Sequence, residues 1–290
     1  LGDVYKRQIW DSISPFIKIG AMEDEKFAEQ VKEIILYSTT KNTSADNEDN
    51  NELIKSGTKT FTTLDAYKNR LTDENKKVLY STDEVSQSTA LNMWTSQGKE
   101  VLKLDTVIDT QFIPWLEEKN KEINFVRVDS ELDESIKDDS PEIADKDGNT
   151  KSETLKKMIS SALNNEKVTV QVQSLKGENS PPSLILLPEQ MRRINDITAL
   201  MEQKLPGLPE YHNLIVNSNH PLIQGLLKLN SNPIVIEGSS NSEQGQLASD
   251  IAIHVYEMAK LSIGGLENKD IAAFQTRNAE VLGKLMQKFV

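Results

Sequence analysis

The amino-acid sequence predicts an α/β region with a short parallel sheet, followed by an α+β region that ends in long helices. Two patterns lead to this prediction. Short apolar segments alternate with helical segments between positions 77 and 129, and few residues separate them. Strand–helix–strand order with short links favours a parallel sheet with helices packed against it, in three layers. Beyond position 150, β-type segments give way to helical periodicity.

Three short apolar segments are the expected strands of the parallel sheet, KVLYST (77–82), EVLKLDT (100–106) and INFVRVD (123–129). The helices between them are expected at 86–97 and 108–118. Upstream, Phe27, Val31, Ile34 and Ile35 share one helical face, which predicts an earlier helix over that segment. A short helix with Thr63 or Asp65 near its start is also expected, because these residue types cap helix N-termini.

The second region begins with an acidic segment, 129–152, that is poor in large apolar residues and is expected to be a solvated linker. A helix at 152–163 should open without a full capping box. The alternation of Val168, Val170 and Val172 predicts a half-buried strand, and LILLP (184–188) a second one that pairs with it as a hairpin. The remainder is expected to be helical, at 189–205, from Pro221, at 247–263 and at 269–289.

The two C-terminal helices carry wide apolar faces. Ile251, Val255, Met258 and Leu261 follow helical spacing in the first. The apolar face of the second is formed by Ile271, Phe274, Val281, Leu282, Leu285 and Phe289. Faces this wide do not suit isolated surface helices, so the sequence raises the question of what covers them.

Composition excludes several classes of function. The chain has 290 residues, 37% of them hydrophobic, and a net charge of −12. An acidic chain repels phosphate backbones, so no nucleic-acid partner is expected. No apolar run approaches the roughly 20 residues of a membrane helix, so no membrane partner is expected either. The chain has no Cys, which excludes disulfides and thiol chemistry and fits a cytoplasmic location.

Catalytic and metal-binding patterns are weak. His212, His220 and His254 lie in no metal-ligand spacing, so no metal site or catalytic residue is expected. His220 precedes Pro221 and should lie at a helix start. Neither a P-loop nor a G-x-G-x-x-G is present. An alternative remains an α/β enzyme domain that binds a small molecule or nucleotide at the carboxyl ends of its strands, near Asp83 and Asp105.

Two sets of large apolar residues have an open interpretation. Met191, Ile194 and Met201 share one face of the expected helix at 189–205. Such a face is either core or an adaptable binding surface, because Met-rich surfaces can repack against different partners. Trp115 has the same two interpretations.

The order of several short motifs resembles the heat shock protein 90 family of molecular chaperones in its bacterial form. The retained positions are Lys18, Gly20, Glu23 and Asp24; Leu64, Tyr67 and Arg70; Tyr80; Gly98, Glu100, Val101, Leu102, Ile108, Asp109 and Leu116; and Asn217, His220, Pro221 and Ile223. Each motif is weak alone, but their order and spacing together are specific. Departures include Leu36, Glu74, Gln111 and Ser218, which indicate a divergent member.

The resemblance implies a division of the chain. Residues 9–128 resemble the later part of a client-binding middle domain, and 153–290 a C-terminal dimerisation domain. Residues 1–8, LGDVYKRQ, precede the resemblance and are expected from their own sequence to be a non-native leader. ATP and Mg²⁺ would bind in a domain before Ile9, so this fragment alone should not hydrolyse ATP, although the parent protein would use ATP to close a clamp.

The resemblance also implies two kinds of partner, a second copy of the chain and unfolded client proteins. The expected dimer contacts are Ile251, Val255, Met258, Leu261, Phe274, Val281, Leu282 and Leu285. The candidate client contacts are Phe112, Trp115, Met191, Ile194 and Met201.

Overall fold

A computed structural model describes residues 2–41, 54–56, 59–71, 76–132, 136–138, 150–177, 180–188, 193–194, 211–231, 241–263, 265–266 and 268–286. The chain divides into two units, Leu1–Val128 (unit 1) and Asp129–Val290 (unit 2). Both combine helices with a mixed sheet, so the predicted α/β and α+β class is confirmed.

Unit 1 contains a six-stranded sheet. Its strands are β1 (Tyr37–Thr39), β2 (Ile54–Ser56), β3 (Lys59–Thr62), β4 (Lys77–Ser81), β5 (Leu102–Lys103) and β6 (Asn124–Arg127), in the order β2-β3-β1-β5-β4-β6. The predicted parallel sheet is present, because β4 pairs in parallel with both β5 and β6. Strands β1, β2 and β3 extend it with antiparallel pairs that the sequence pattern did not predict.

The described residues of unit 1 form the helices α1 (Gly2–Glu23), α2 (Glu25–Val31), α3 (Leu64–Asn69), α4 (Ser88–Ser96) and α5 (Asp109–Lys119). Helices α4 and α5 lie where they were predicted, and Thr63 caps α3 by accepting a hydrogen bond from the Ala66 amide. The predicted helical face from Phe27 to Ile35 was wrong in its second half. Helix α2 ends at Val31, and the chain then enters β1 with Ile35 buried and Ile34 exposed.

A close approach between α1 and α2 requires the glycine at position 20. A Cβ there would lie 2.9 Å from Cε1 of Phe27, whose half-buried ring packs against the core of unit 1. Asp24 then begins α2, because its carboxylate accepts hydrogen bonds from the amides of Lys26 and Phe27.

Gly20→Ala is expected to lower the free energy of unfolding of unit 1 by about 1 kcal/mol. Overpacking costs about 1–3 kcal/mol, which outweighs the gain of about 1 kcal/mol in helix propensity. Urea unfolding followed by tryptophan fluorescence measures it. Gly283→Ala is the control, followed by circular dichroism because unit 2 contains no tryptophan. A Cβ at position 283 meets no atom within 4 Å, so that variant should gain stability. Equal gains in the two variants would contradict the steric argument.

Unit 2 begins inside the predicted linker. Asp129 and Ile136 are buried, and the Asp129 carbonyl accepts a hydrogen bond from the Leu187 amide at 3.0 Å. Residues 139–149 lie outside the described part. Helix α6 (Lys151–Leu163) opens with a full capping box between Thr150 and Glu153. The prediction of no full box was therefore wrong, because the cap lies two residues before the expected helix start.

The sheet of unit 2 has three strands, β7 (Val168–Gln173), β8 (Ser183–Leu186) and β9 (His212–Asn217), in the order β7-β9-β8. The predicted hairpin between β7 and β8 is wrong, because β9 lies between them, parallel to β7 and antiparallel to β8. Unit 2 also contains the helices α7 (Pro221–Ser231), α8 (Asn241–Ser262) and α9 (Asn268–Met286). No helix among the described residues is long and apolar enough to span a membrane.

Candidate functional site

Helices α8 and α9 form an antiparallel pair that ionic side chains hold in register. Lys284 Nζ lies 2.8 Å from Asp250 Oδ2, Arg277 pairs with Glu257, and Lys260 lies 3.9 Å from Asp270. From one ion pair to the next, the residue number increases along α8 and decreases along α9, so the two helices run in opposite directions. The ion pairs also show which residues of the two helices lie side by side. Leu261 near the end of α8 therefore lies opposite Ile271 near the start of α9.

The predicted apolar face of α8 contains both buried and exposed residues. Val255 is completely buried in the core of unit 2 with Ala252 and Ala259, so it offers no surface to a partner. Met258 and Leu261 are exposed, and 52% of the Leu261 surface is accessible. Ile251 is half-buried and packs against the same core.

Helix α9 shows the same division. Val281 is buried and Phe274 half-buried, whereas 54% of the Leu282 surface is accessible. Ile271 and Met286 are exposed as well, although neither was assigned to the interface. The side chain of Leu285 lies outside the described residues. We call the exposed set the helix-pair face; its members are Met258, Leu261, Ile271, Leu282 and Met286.

His254 is a residue of α8, and its ring contacts α9. Its ring stacks on Phe274 with centroids 5.4 Å apart and an interplanar angle of 9°. Its Nδ1 atom is buried and makes no hydrogen bond to any described residue, and the same is true of Glu257 Oε2 one turn further along α8. Burial lowers the pKa of His254, Glu257 raises it and Arg277 lowers it, with a net decrease.

The lowered pKa of His254 predicts that unit 2 loses stability in acid. The unfolded chain holds the histidine proton up to a pH of about 6.5, whereas the folded chain releases it at lower pH. The unfolded state therefore binds more protons between these two pKa values, so the free energy of unfolding rises with pH there. The contribution is fully present above about pH 6.5 and is lost as the pH falls towards the folded-state pKa.

His254→Phe should flatten this dependence while it preserves the ring stack. Circular dichroism during urea unfolding at pH 5.5 and 7.5 measures the effect. Burial also lowers the pKa of His220, whose Nδ1 accepts a hydrogen bond from the Leu222 amide at 3.1 Å. His220→Asn removes this second contribution of the same sign and should flatten the slope as well, so the double variant should show a smaller slope than either single variant. An unchanged slope in His254→Phe would contradict the assignment to His254.

Of the two aromatic client contacts predicted in unit 1, one is inaccessible and the other is half-buried, so Trp115 stays a prediction. Phe112 is 0% exposed, and Trp115 stacks on it with ring centroids 5.2 Å apart. Trp115 itself is partly buried against the core. Phe112 therefore does not remain a candidate for direct contact with a client, because a partner cannot reach it in this fold.

Two other residues of unit 1 expose apolar side chains at one edge of the sheet. Val85 is 82% exposed and Val107 73% exposed. They lie in the loops that follow the neighbouring parallel strands β4 and β5, and parallel strands direct these loops to the same edge. An ion pair of 2.9 Å between Glu84 and Lys103 joins the two segments. We call Val85 and Val107 the loop patch.

The apolar face predicted at 189–205 lies mostly outside the described part of the chain. Met191 and Met201 are among the residues outside it. Ile194 is described and is exposed. Its position is compatible with the surface interpretation of that face, and the interpretation stays a prediction for the two methionines.

Several motif residues have clear structural roles. Arg70 donates to both carboxylate oxygens of Glu100, from Nε at 2.9 Å and from Nη2 at 2.8 Å. Tyr67 donates its hydroxyl to the Glu100 carbonyl and accepts from the Leu79 amide. Asn217 Oδ1 accepts from the amides of Leu175 and Asn219. These side chains join segments that are far apart in sequence, and they hold the fold that carries both exposed surfaces.

The alternative small-molecule site was predicted near Asp83 and Asp105, at the carboxyl ends of the parallel strands. Asp83 accepts a hydrogen bond from the Val85 amide at 3.0 Å, and hydrogen bonds from its own turn help to lower its pKa although burial opposes this. Asp105 is exposed. Among the described residues, no group of three or more His, Asp or Glu side chains is placed to hold a metal ion.

The described residues thus combine inter-helix ion pairs between α8 and α9 with exposed apolar side chains on the helix-pair face and the loop patch. Comparison with known proteins identifies the family. The Hsp90 protein family matches residues 3–288, and the chain therefore belongs to the Hsp90 family.

Similar proteins are bacterial chaperones named HtpG. The chaperone protein HtpG of Porphyromonas gingivalis is 30% identical over 235 residues, which cover 75% of this chain and 31% of that protein. HtpG of Bacteroides thetaiotaomicron is 28% identical over 233 residues, with the same coverage. HtpG of Bacteroides fragilis is 27% identical over 225 residues. The chain thus spans about a third of the length of the curated relatives that it matches.

Proposed function

We propose that this chain joins two copies of a chaperone through the helix-pair face and binds non-native polypeptide. The observation that carries the proposal is the exposure of large apolar side chains on ordered helices in a member of the Hsp90 family. Exposed apolar patches on folded proteins mark interaction sites. ATP and Mg²⁺ would bind elsewhere in a longer protein, as the family resemblance implies.

The helix-pair face supports homodimerisation in particular. Its members lie on two adjacent helices that ion pairs already hold in one arrangement. A rigid face loses little conformational freedom on binding, which favours association. Two such faces brought together would form a four-helix arrangement, and burial of apolar area contributes about 25 cal/mol per Å².

The loop patch supports client binding by unit 1. Val85 and Val107 are exposed, and acidic residues stand within two positions of them in sequence, at 83, 84 and 105. This combination suits polypeptide segments that carry both apolar and basic residues, since unfolded proteins expose both kinds. Exposed Ile194 in unit 2 extends the proposal to the predicted face at 189–205.

Val85→Ser with Val107→Ser is expected to weaken the suppression of client aggregation by the full chain. The change removes about 1 kcal/mol or more of apolar contact, which corresponds to roughly fivefold weaker binding. Light scattering of a thermally unfolded model client measures it. The control replaces two exposed apolar residues of α1, with Ile9→Ser and Phe16→Ser. Equal suppression by wild type and the loop-patch variant would contradict this role.

A further inference from the structure

Unit 1 contains a cavity of about 270 Å³ between the start of β4 and the segments that follow β1, α3 and α4. Buried Tyr67 and Leu79 line its inner part, whereas exposed Lys41 and Gly98 line its opening. Drug-sized ligands generally occupy pockets of about 300–1,000 Å³. The cavity therefore suits a smaller molecule that enters from solvent.

The charged residues that line this cavity are mostly cations. Four segments of the chain each supply one, namely Lys41 after β1, Arg70 after α3, Lys77 at the start of β4 and Lys99 before β5. Glu100 is the one acidic residue among the described residues of the lining. The whole chain has the opposite balance, with 45 acidic residues against 33 Lys and Arg. The positive lining is therefore a local feature that the composition does not explain.

The Glu100 carboxylate is already bound within the fold. Arg70 donates to both of its oxygens, at 2.9 and 2.8 Å, and the Thr39 hydroxyl donates to Oε1 at 2.8 Å. A bidentate pair of this kind is electrically close to neutral. The three lysines of the lining therefore give the cavity its net positive charge.

Thr40 adds a neutral hydrogen-bond donor to the lining. Its Oγ1 accepts a hydrogen bond from the Val101 amide at 2.9 Å, and its own proton is donated to no group in the described part of the chain. A hydroxyl can donate one hydrogen bond while it accepts others, so this proton is available to an acceptor in the cavity. Thr95 differs, because its hydroxyl donates to the Leu91 carbonyl at 2.9 Å.

We propose that this cavity binds a phosphate group, either as the free ion or as a small phosphate monoester. A phosphate monoester carries roughly 1.5 to 2 negative charges at neutral pH and three strong acceptor oxygens. Lysine binds phosphate as a point charge, and cations from separate segments can reach different oxygens. A carboxylate would carry one charge and would leave more of the lining uncompensated. The cavity shares no residue with the helix-pair face or the loop patch, so phosphate binding would be additional to the proposed function.

Isothermal titration calorimetry of the full chain with inorganic phosphate tests the site, with sodium chloride at the same ionic strength as the blank. The wild type should show saturable binding. Lys77→Met with Lys99→Met should weaken it about a hundredfold, because one charge-assisted hydrogen bond corresponds to about tenfold in affinity. The matched control is Lys26→Met with Lys32→Met, which removes two exposed lysines of unit 1. Its affinity should stay within about twofold of wild type, because salt screens distant exposed charges.

A second variant protects the test against misfolding of the first. Lys41 is exposed, so Lys41→Met should fold normally and weaken phosphate binding by up to about tenfold. Titration with glycerol 3-phosphate separates the two sources, since tighter binding than that of inorganic phosphate assigns a monoester and weaker binding assigns the free ion. Absence of saturable binding of either compound to the wild type would overturn the proposal. Equal affinities in the cavity variants and the control variant would overturn it as well.

Discussion

Replacing Lys18 by Met is expected to lower the free energy of unfolding of unit 1 by about 3–5 kcal/mol. Lys18 Nζ lies 2.6 Å from Asp109 Oδ1, and both side chains are almost fully buried. The other carboxylate oxygen accepts hydrogen bonds from the amide and hydroxyl of Thr106. Loss of the lysine leaves the Asp109 charge buried without its cation, which is the reason for the large cost.

The Lys18–Asp109 ion pair also connects two helices of unit 1. It joins α1 to the start of α5, 91 residues away in sequence. The Lys18 ammonium also lies 5.6 Å from the centre of the Phe112 ring. Loss of the pair therefore affects the contact between two helices as well as one hydrogen bond.

Urea unfolding followed by tryptophan fluorescence measures this prediction cleanly. All three tryptophans, Trp10, Trp94 and Trp115, belong to unit 1. Lys119→Met is the matched control, because Lys119 forms an ion pair of 2.6 Å with Glu25 that is largely exposed, and such pairs contribute about 0–1 kcal/mol. Lys18→Met with Asp109→Leu should cost less than Lys18→Met alone. Similar small losses for Lys18→Met and Lys119→Met would contradict the account.

Leu261→Glu with Leu282→Glu is expected to weaken dimerisation by about a thousandfold. Each leucine contributes roughly 2 kcal/mol when an interface buries it, and about 4 kcal/mol corresponds to a factor near 1,000 in Kd. The new carboxylates repel one another across the interface, so the estimate is conservative. Both residues are exposed in the single chain, so the fold of unit 2 should be retained.

A control variant separates the interface from overall charge. Ala273→Glu with Thr276→Glu adds the same two charges to exposed positions on another side of α9. Its Kd should change by a small factor that disappears at high salt. Circular dichroism checks that both variants keep their helices. Equal weakening in the two variants would mean that net charge, rather than the helix-pair face, controls association.

The sequence predicted the parallel part of the unit 1 sheet well and its antiparallel part poorly. Strands β4 and β6 contain five and four residues, lie within the apolar segments KVLYST and INFVRVD, and alternate with helices. Strand β1 has only three residues and follows directly after a segment with helical spacing. It becomes a strand because β3 and β5, distant in sequence, flank it on both sides. Local periodicity contains no information about such pairs.

The central strand of unit 2 was missed for a related reason. Strand β9 is buried along LIVN without apolar–polar alternation, as expected for a strand whose two faces are both covered. Short continuous apolar runs do not distinguish a strand from a loop or a helix. Without β9, the remaining two strands appeared to form a hairpin.

The candidate surfaces were only partly predictable. Helical spacing identifies Val255 and Leu261 equally as apolar positions, yet one faces the core of its own unit and the other faces outward. Helical spacing shows which residues share a face of the helix, but it does not show what packs against that face. Val85 and Val107 are single apolar residues in polar turns, so no pattern selects them. Only the parallel order of β4 and β5 brings their loops to one edge.

The mass of the chain in solution tests the central claim most directly. Sedimentation equilibrium across a range of concentrations should show a reversible monomer–dimer equilibrium that Leu261→Glu with Leu282→Glu shifts to monomer. A chain that stays at its monomer mass of 32.6 kDa up to high concentration would contradict the account. The helix-pair face would then need another partner, and the proposed role in joining two copies would be lost.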